Sequence, residues 1–358
     1  MAAGKNRILV LGRIQATNYG DVVIADCCAH ILNRIIDSEN KGFFKFKKIP
    51  HVKLANVNKL QKKIVKSNVT NFDKIVFPGG GINSMKVTDA LLARLDTGRQ
   101  LWYYFNAIGI HPERHYEKLA VNIETILNDR RVRQVTTRGD LSMAKEYITA
   151  QKPYPIEWIV DPAIWTNEVY GVEKKPDSDL IGIGPIRPEI FNEQDKSVSV
   201  DEVYSMYERL LAEADKRGYH WKLFCNGTEP DFAFAKELLQ RFGYNEAEHL
   251  VRKPENARQL VEDIAEFKGV IAARFHANII STSLSIPSVA LVWNVKMRGF
   301  SELIGCQDRY IEGMDKLLDA DFLLDKLETA MKEGYDAEKI RHEKDRAYRT
   351  LENIVKDK

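Results

Sequence analysis

Gly269-Val270-Ile271-Ala272-Ala273-Arg274-Phe275-His276-Ala277-Asn278 contains the transition on which the fold turns. Its first five residues are small or β-branched and unbroken by a polar group, as in a strand buried on both faces of a parallel sheet. The apolar run stops at Arg274, and from 277 to 285 the spacing is helical. Arg274 and His276 are two residues apart, so on an extended strand end they project the same way. A further buried run, 287–293, leads to Asn294-Val295-Lys296 and brings a third cation to the end of the neighbouring strand. In an open α/β sheet the carboxyl edge is where ligands bind. Three cations beside a helix N-terminus there suit a small anion with several charges, such as one carrying a phosphate and a carboxylate.

Working outward, the same alternation fills the chain. Residues 7–11, 74–77, 101–108, 132–137 and 156–160 read as strands, with helical spacing over 25–36, 84–95, 115–127 and 141–150 between them. After a charged, Pro-containing stretch, Glu173-Lys174-Lys175-Pro176-Asp177, a second series starts at 180–184. It continues with a helix at 201–216, stopped by Gly218, and strands at 221–225, 249–252, 269–273 and 288–293. Two helices, 321–332 and 336–355, follow. The predicted fold class is α/β, with two Rossmann-like βα domains facing across a cleft. Their expected bounds are 1–168 and 179–358, joined by a linker at 169–178.

Composition narrows the function classes. At 358 residues the chain suits two domains of about 150 to 180 residues each. Its 29% charged and 44% hydrophobic residues are ordinary for a globular protein, and a net charge of +2 without a basic block gives no reason to expect nucleic-acid binding. Cys27, Cys28, Cys225 and Cys306 have neither metal-ligand spacing nor disulfide density, so they read as reduced, packed thiols with no metal. No apolar run has signal-peptide or membrane-span length, so a cytoplasmic location is expected and the sequons at Asn68 and Asn226 carry little meaning.

Loops at strand ends supply the other candidates. Thr17-Asn18-Tyr19-Gly20-Asp21 follows the first strand and opens a helix, where free N–H groups suit an anionic or hydroxyl-rich ligand. Pro78-Gly79-Gly80-Gly81-Ile82-Asn83 repeats the device, although tight turns use glycine for steric reasons alone. Asn18, Gly20, Asp21, Gly79, Gly80, Gly81 and Asn83 are therefore candidate substrate-binding residues. Asp21 is equally a helix N-cap candidate. Arg187, after the first strand of the second domain, is a secondary anion-binding candidate. Arg138 is another, with bracing of its own turn as the plain alternative.

These motifs, in order, carry a family resemblance. Asn18 to Asp21, Gly79 to Gly81, Thr137-Arg138-Gly139-Asp140-Leu141-Ser142, Asp161-Pro162-Ala163, Arg274-Phe275-His276-Ala277, Pro287 and Lys296-Met297-Arg298-Gly299-Phe300 resemble the polysaccharide pyruvyl transferases. Two departures stand out: Arg138 and Asp140 are separated by Gly139 where that family has an Arg-Asp pair, and the 106–111 segment stands where a Gly-Pro turn is common. The resemblance implies a GT-B-like fold and transfer of the pyruvyl group of phosphoenolpyruvate onto two sugar hydroxyls as a cyclic ketal. It implies no cofactor, phosphoenolpyruvate being the donor substrate.

The residue types agree with that chemistry. Phosphoenolpyruvate needs two separate donor clusters, for which Arg274, Lys296 and Arg138 are suited. Ketal formation needs a proton at the methylene carbon, and histidine, whose ordinary pKa lies near neutrality, is the natural residue type to give it, which makes His276 the candidate. The catalytic candidates are thus His276, Arg274 and Lys296, with the acceptor expected along 18–21 and 79–83. A polysaccharide or its lipid- or nucleotide-linked precursor is the expected acceptor, and a lipid-linked one would draw the protein to the inner face of the membrane. The rival readings are a GT-B glycosyltransferase using a nucleotide sugar and a non-catalytic anion or glycan sensor.

Overall fold

The structure, a computed structural model, describes residues 7–13, 17–39, 52–56, 72–81, 100–110, 123–139, 141–194, 197–294 and 296–357. The helix expected at 84–95, most of that at 115–127, and Asn83 and Asp140 lie outside them.

Among the described residues there are two parallel sheets. The first contains β1 (Ile8–Gly12), β2 (Val52–Asn56), β3 (Lys74–Phe77), β4 (Gly80–Gly81), β5 (Trp102–Gly109), β6 (Val132–Thr137) and β7 (Glu157–Trp158). Its order is β2-β1-β3-β5-β6-β7, with β4 also beside β5. The second contains β8 (Leu180–Gly184), β9 (His220–Leu223), β10 (Gly269–Ala272), β11 (Ser288–Leu291) and β12 (Tyr310–Ile311), ordered β12-β11-β10-β8-β9. In both, the chain leaves its first strand to one side and returns on the other, so the topological switch points lie between β1 and β3 and between β8 and β10.

The mostly apolar runs are interior strands: β3, β10 and β11 are buried at every position. β2 reads poorly because it is an edge strand with Lys53 exposed. Tyr103, Tyr104 and Phe105 are fully buried in β5. Ala107, in the segment where the resemblance expects a Gly-Pro turn, holds a positive φ of 47°. Such a conformation costs a non-glycine residue on the order of 1 kcal/mol. The run at 249–252 does not form a strand. Asn245 caps a short helix, Glu246–His249, and only Leu250 bridges to Leu223.

The chain divides into two compact units whose bounds differ from the sequence reading. One comprises Met1–Ala16, Asp21–Pro162 and Arg341–Lys358, the other Thr17–Gly20 and Ala163–Ile340. Most of the last helix, Ala337–Lys356, therefore packs with the first sheet and not with the second. Lys74 of β3, 2% exposed, donates from Nζ to the carbonyls of Ile354 (2.6 Å), Val355 (3.0 Å) and Asp357 (2.6 Å), satisfying groups that a helix end leaves open. The Asp357 carboxylate accepts from Tyr104 of β5 (2.6 Å) and from Arg133 of β6 (2.8 and 2.9 Å).

Burial lowers the Lys74 ammonium to about 8, against the pull of Asp357, Asp73 and Glu39. The folded value lies below the unfolded one, so the unfolded chain binds more protons between them and stability rises with pH from about 8 to about 10.5. Below pH 8 the penalty is fully present. Lys74→Met is expected to flatten that rise by on the order of 2 to 3 kcal/mol, read as the difference between wild-type and variant denaturant melts at pH 7.5 and 10.

Candidate functional site

β10 ends at Ala272. Arg274 is the N-cap of the helix Phe275–Ser283, with φ −76° and ψ 125°. His276 is thus the second helical residue, and strand alternation does not explain why it accompanies Arg274, contrary to the sequence argument. A cap and the turn it starts do. Asn278, fully buried, pins this corner by donating from Nδ2 to the carbonyls of Ala272 (3.0 Å) and Arg274 (3.1 Å). Trp293 Nε1 donates to the Ala273 carbonyl at 2.6 Å.

The two arginines flanking the β8/β10 switch point converge on a carboxylate that the sequence reading missed. Asp231, in the first turn of the helix Glu229–Phe242, is completely buried. Its Oδ2 accepts from Arg274 Nε at 2.7 Å and lies 2.5 Å from Arg274 Nη2. Its Oδ1 accepts from Arg187 Nη1 at 3.2 Å, and Thr228 Oγ1 donates to Oδ2 at 2.6 Å. Asp231 holds both guanidinium planes in place, and the Glu189 carboxylate lies 3.8 Å from Arg187 Nε on the outer side. The Thr228-x-x-Asp231 spacing signals only a helix start.

Lys296 opens the helix Lys296–Ile304 beyond β11, the neighbour of β10. Its Nζ lies 4.8 Å from the Trp293 ring centroid and 5.7 Å from that of Phe275, a placement that holds a cation over aromatic faces. The Phe275 ring is 5.5 Å from the His276 imidazole and meets Phe300 edge-on at 5.8 Å, so Gly299-Phe300 supports the histidine's neighbour. Arg274, His276, Lys296 and Arg187 are thereby gathered at the carboxyl ends of β8, β10 and β11. His276 is 5% exposed.

The Asn18-Tyr19-Gly20 motif belongs to this same unit. Tyr19 donates its backbone N–H to the Asn226 carbonyl (2.9 Å) and its hydroxyl to the Glu255 carbonyl (2.6 Å). Gly227, at φ 96°, lies so close that an added Cβ would sit 2.3 Å from the Tyr19 ring. A Cβ on Gly20 would sit 2.5 Å from His276 Cβ and Nδ1. Glycine stands at 20 because the backbone lies directly against the imidazole. Asp21 is no N-cap, since the helix Tyr19–Glu39 has already begun; its carboxylate pairs with Arg13 at 2.7 Å.

Other candidates have structural partners in the first unit. Arg138, 4% exposed, is ion-paired through Nη1 to Asp161, which is fully buried. The Arg138 turn and Asp161-Pro162-Ala163 are therefore two halves of one contact. Gly79 has φ 135°, and a Cβ there would lie 2.8 Å from Ile24 Cγ2. Gly80 and Gly81 form β4, paired with Ile108 and Gly109. Gly79 thus has a packing reason in this unit.

The polysaccharide pyruvyl transferase family matches residues 18–295 of the 358. The chain belongs to that family. Membership makes it a transferase of polysaccharide modification, and the matched span includes Asn18, Gly20, Arg138, Arg187, Arg274 and His276 but ends one residue short of Lys296. No curated protein matches the chain in sequence. Among solved structures, a putative UDP-N-acetylglucosamine 2-epimerase from Listeria monocytogenes is similar with a TM-score of 0.58 at 13% identity, over 99% of this chain and 98% of that one. The UDP-GlcNAc 2-epimerase of Methanocaldococcus jannaschii gives 0.58 at 12% identity, over 92% and 94%. The S. aureus MnaA–UDP structure gives 0.56 at 11%, over 96% and 91%. At these identities the likeness is one of fold, and it places this pyruvyl transferase family member among GT-B folds.

Proposed function

We propose that this protein transfers the pyruvyl group of phosphoenolpyruvate to a pair of hydroxyls on a glycan or its linked precursor, forming a cyclic ketal. The observation carrying this reading is the gathering of Arg274, His276 and Lys296 at one sheet edge, with Arg187 beside them. Arg274 and Lys296 supply separate cationic contacts for the phosphate and the carboxylate. His276 gives its proton to the methylene carbon, and the cationic C2 is attacked by one sugar hydroxyl, whose proton restores the imidazole. The C2–O bond to phosphate then breaks, the second hydroxyl closes the ring at C2, and its proton leaves with the phosphate. Burial of His276 favours the sugar over water as nucleophile. A lipid-linked acceptor would draw the protein to the inner face of a membrane; among the described residues no helix is long and apolar enough to cross one.

Calorimetric titration with phosphoenolpyruvate, beside a panel of nucleotide sugars, tests the donor. Binding of phosphoenolpyruvate alone is the expected result. Arg274→Lys, which keeps a charge beside Asp231 but loses the planar fork, is expected to weaken it about 10- to 100-fold. Binding of a nucleotide sugar without phosphoenolpyruvate would overturn the reading in favour of glycosyl transfer.

A further inference from the structure

Beyond β9 the chain runs Phe224-Cys225-Asn226-Gly227-Thr228 into the helix that carries Asp231. Asn226 is 1% exposed. Its backbone carbonyl holds Tyr19, but neither Oδ1 nor Nδ2 of its side chain has a hydrogen-bond partner. Asn18 Oδ1, one residue before Tyr19, is likewise buried without one. Buried carboxamides are almost always bonded, and an orphaned one is destabilising. Because both ends of the Asn226 amide are orphaned, the assignment of its O and N does not matter. The dipeptide between these asparagines and the active-site imidazole is Tyr19-Gly20, with Gly20 against His276.

We propose that Asn226, together with Asn18, recognises the hydroxyl groups of the sugar acceptor beside His276. The proposal rests on the pyruvyl-transfer reading and names the acceptor subsite within it. Phosphoenolpyruvate as its anion offers oxygens that accept hydrogen bonds, so it could satisfy Nδ2 but neither Oδ1. A sugar hydroxyl both donates and accepts. A pair of hydroxyls therefore matches two buried acceptors and one buried donor, where an anion does not. This puts the acceptor's diol on the same unit as Arg274 and Lys296.

The test compares wild type with Asn226→Leu, similar in shape, by thermal melting, phosphoenolpyruvate calorimetry and saturation-transfer NMR with methyl pyranosides of glucose, galactose and mannose. A residue held for a ligand behaves differently from one held for the fold. Expected are an equal or higher melting temperature, unchanged phosphoenolpyruvate affinity, and pyranoside affinity reduced about tenfold or more. A lower melting temperature with pyranoside signals intact, a tenfold loss of phosphoenolpyruvate with sugar signals intact, or no pyranoside signal from wild type overturns the assignment. Asn226→Ala gives the same comparison should the leucine variant fold poorly. Wild type that binds pyranosides through Asn226 but never phosphoenolpyruvate would leave the hydroxyl subsite standing and remove the pyruvyl-transfer reading.

Discussion

His276→Gln is expected to lower turnover by about 10²- to 10⁴-fold, the range spanned by loss of a positioned general acid, while phosphoenolpyruvate still binds near its wild-type affinity. Glutamine keeps a donor and most of the shape but cannot deliver a proton to carbon. The measurement is phosphate release at saturating donor and acceptor, with calorimetry on the same preparations. Gly20→Val should act in the same direction without touching the chemistry, because a Cβ at position 20 would stand 2.5 Å from the imidazole and would have to displace it. Turnover within a fewfold of wild type in His276→Gln would remove the proton-donor role and leave His276 as a packing residue. A melting temperature close to wild type guards against reading misfolding as lost chemistry.

Asp231→Ala is expected to cost about 3 kcal/mol of stability, lowering the melting temperature by roughly 6 to 12 °C. The carboxylate is fully buried and is the shared partner of two guanidinium groups, so deletion leaves buried positive charge uncompensated. The low end of the usual range applies because Arg187 and Arg274 are 31% and 15% exposed and reach water. Asp231→Asn keeps the shape and the Thr228 contact but not the charge, and should fall between wild type and alanine. Differential scanning calorimetry reads both, and an unchanged melting temperature in Asp231→Ala would show that the arginines do not depend on it.

Much of the fold was legible because its signals are local. β3, β10 and β11 are short, mostly apolar runs, and Ser199 with Glu202 forms the capping box that starts the helix Val200–Lys216. β2 and β12 were not, because an edge strand and a two-residue strand lack a buried periodic face. The site was legible in part for a related reason. Arg274, His276 and Lys296 follow strand ends, where a parallel sheet puts its ligands. The glycines were visible as a composition, but their reasons were not: Gly20 faces an imidazole and Gly79 faces Ile24.

The sequence by itself determined two series of buried strands and amphipathic helices, and the order of motifs that places the chain in its family. Strand burial and helix period are set by neighbours a few residues apart, so one dimension suffices for them. Only the tertiary structure decided what distant side chains do. Asp231 meets an arginine 43 residues away, Lys74 holds the helix end 280 residues on, Arg138 is engaged by Asp161, and Thr17–Gly20 sits with the second sheet. Such pairings have no period and no fixed spacing. They exist because burial in a folded unit removes water as the competing partner, and that condition arises only once the strands and helices have packed.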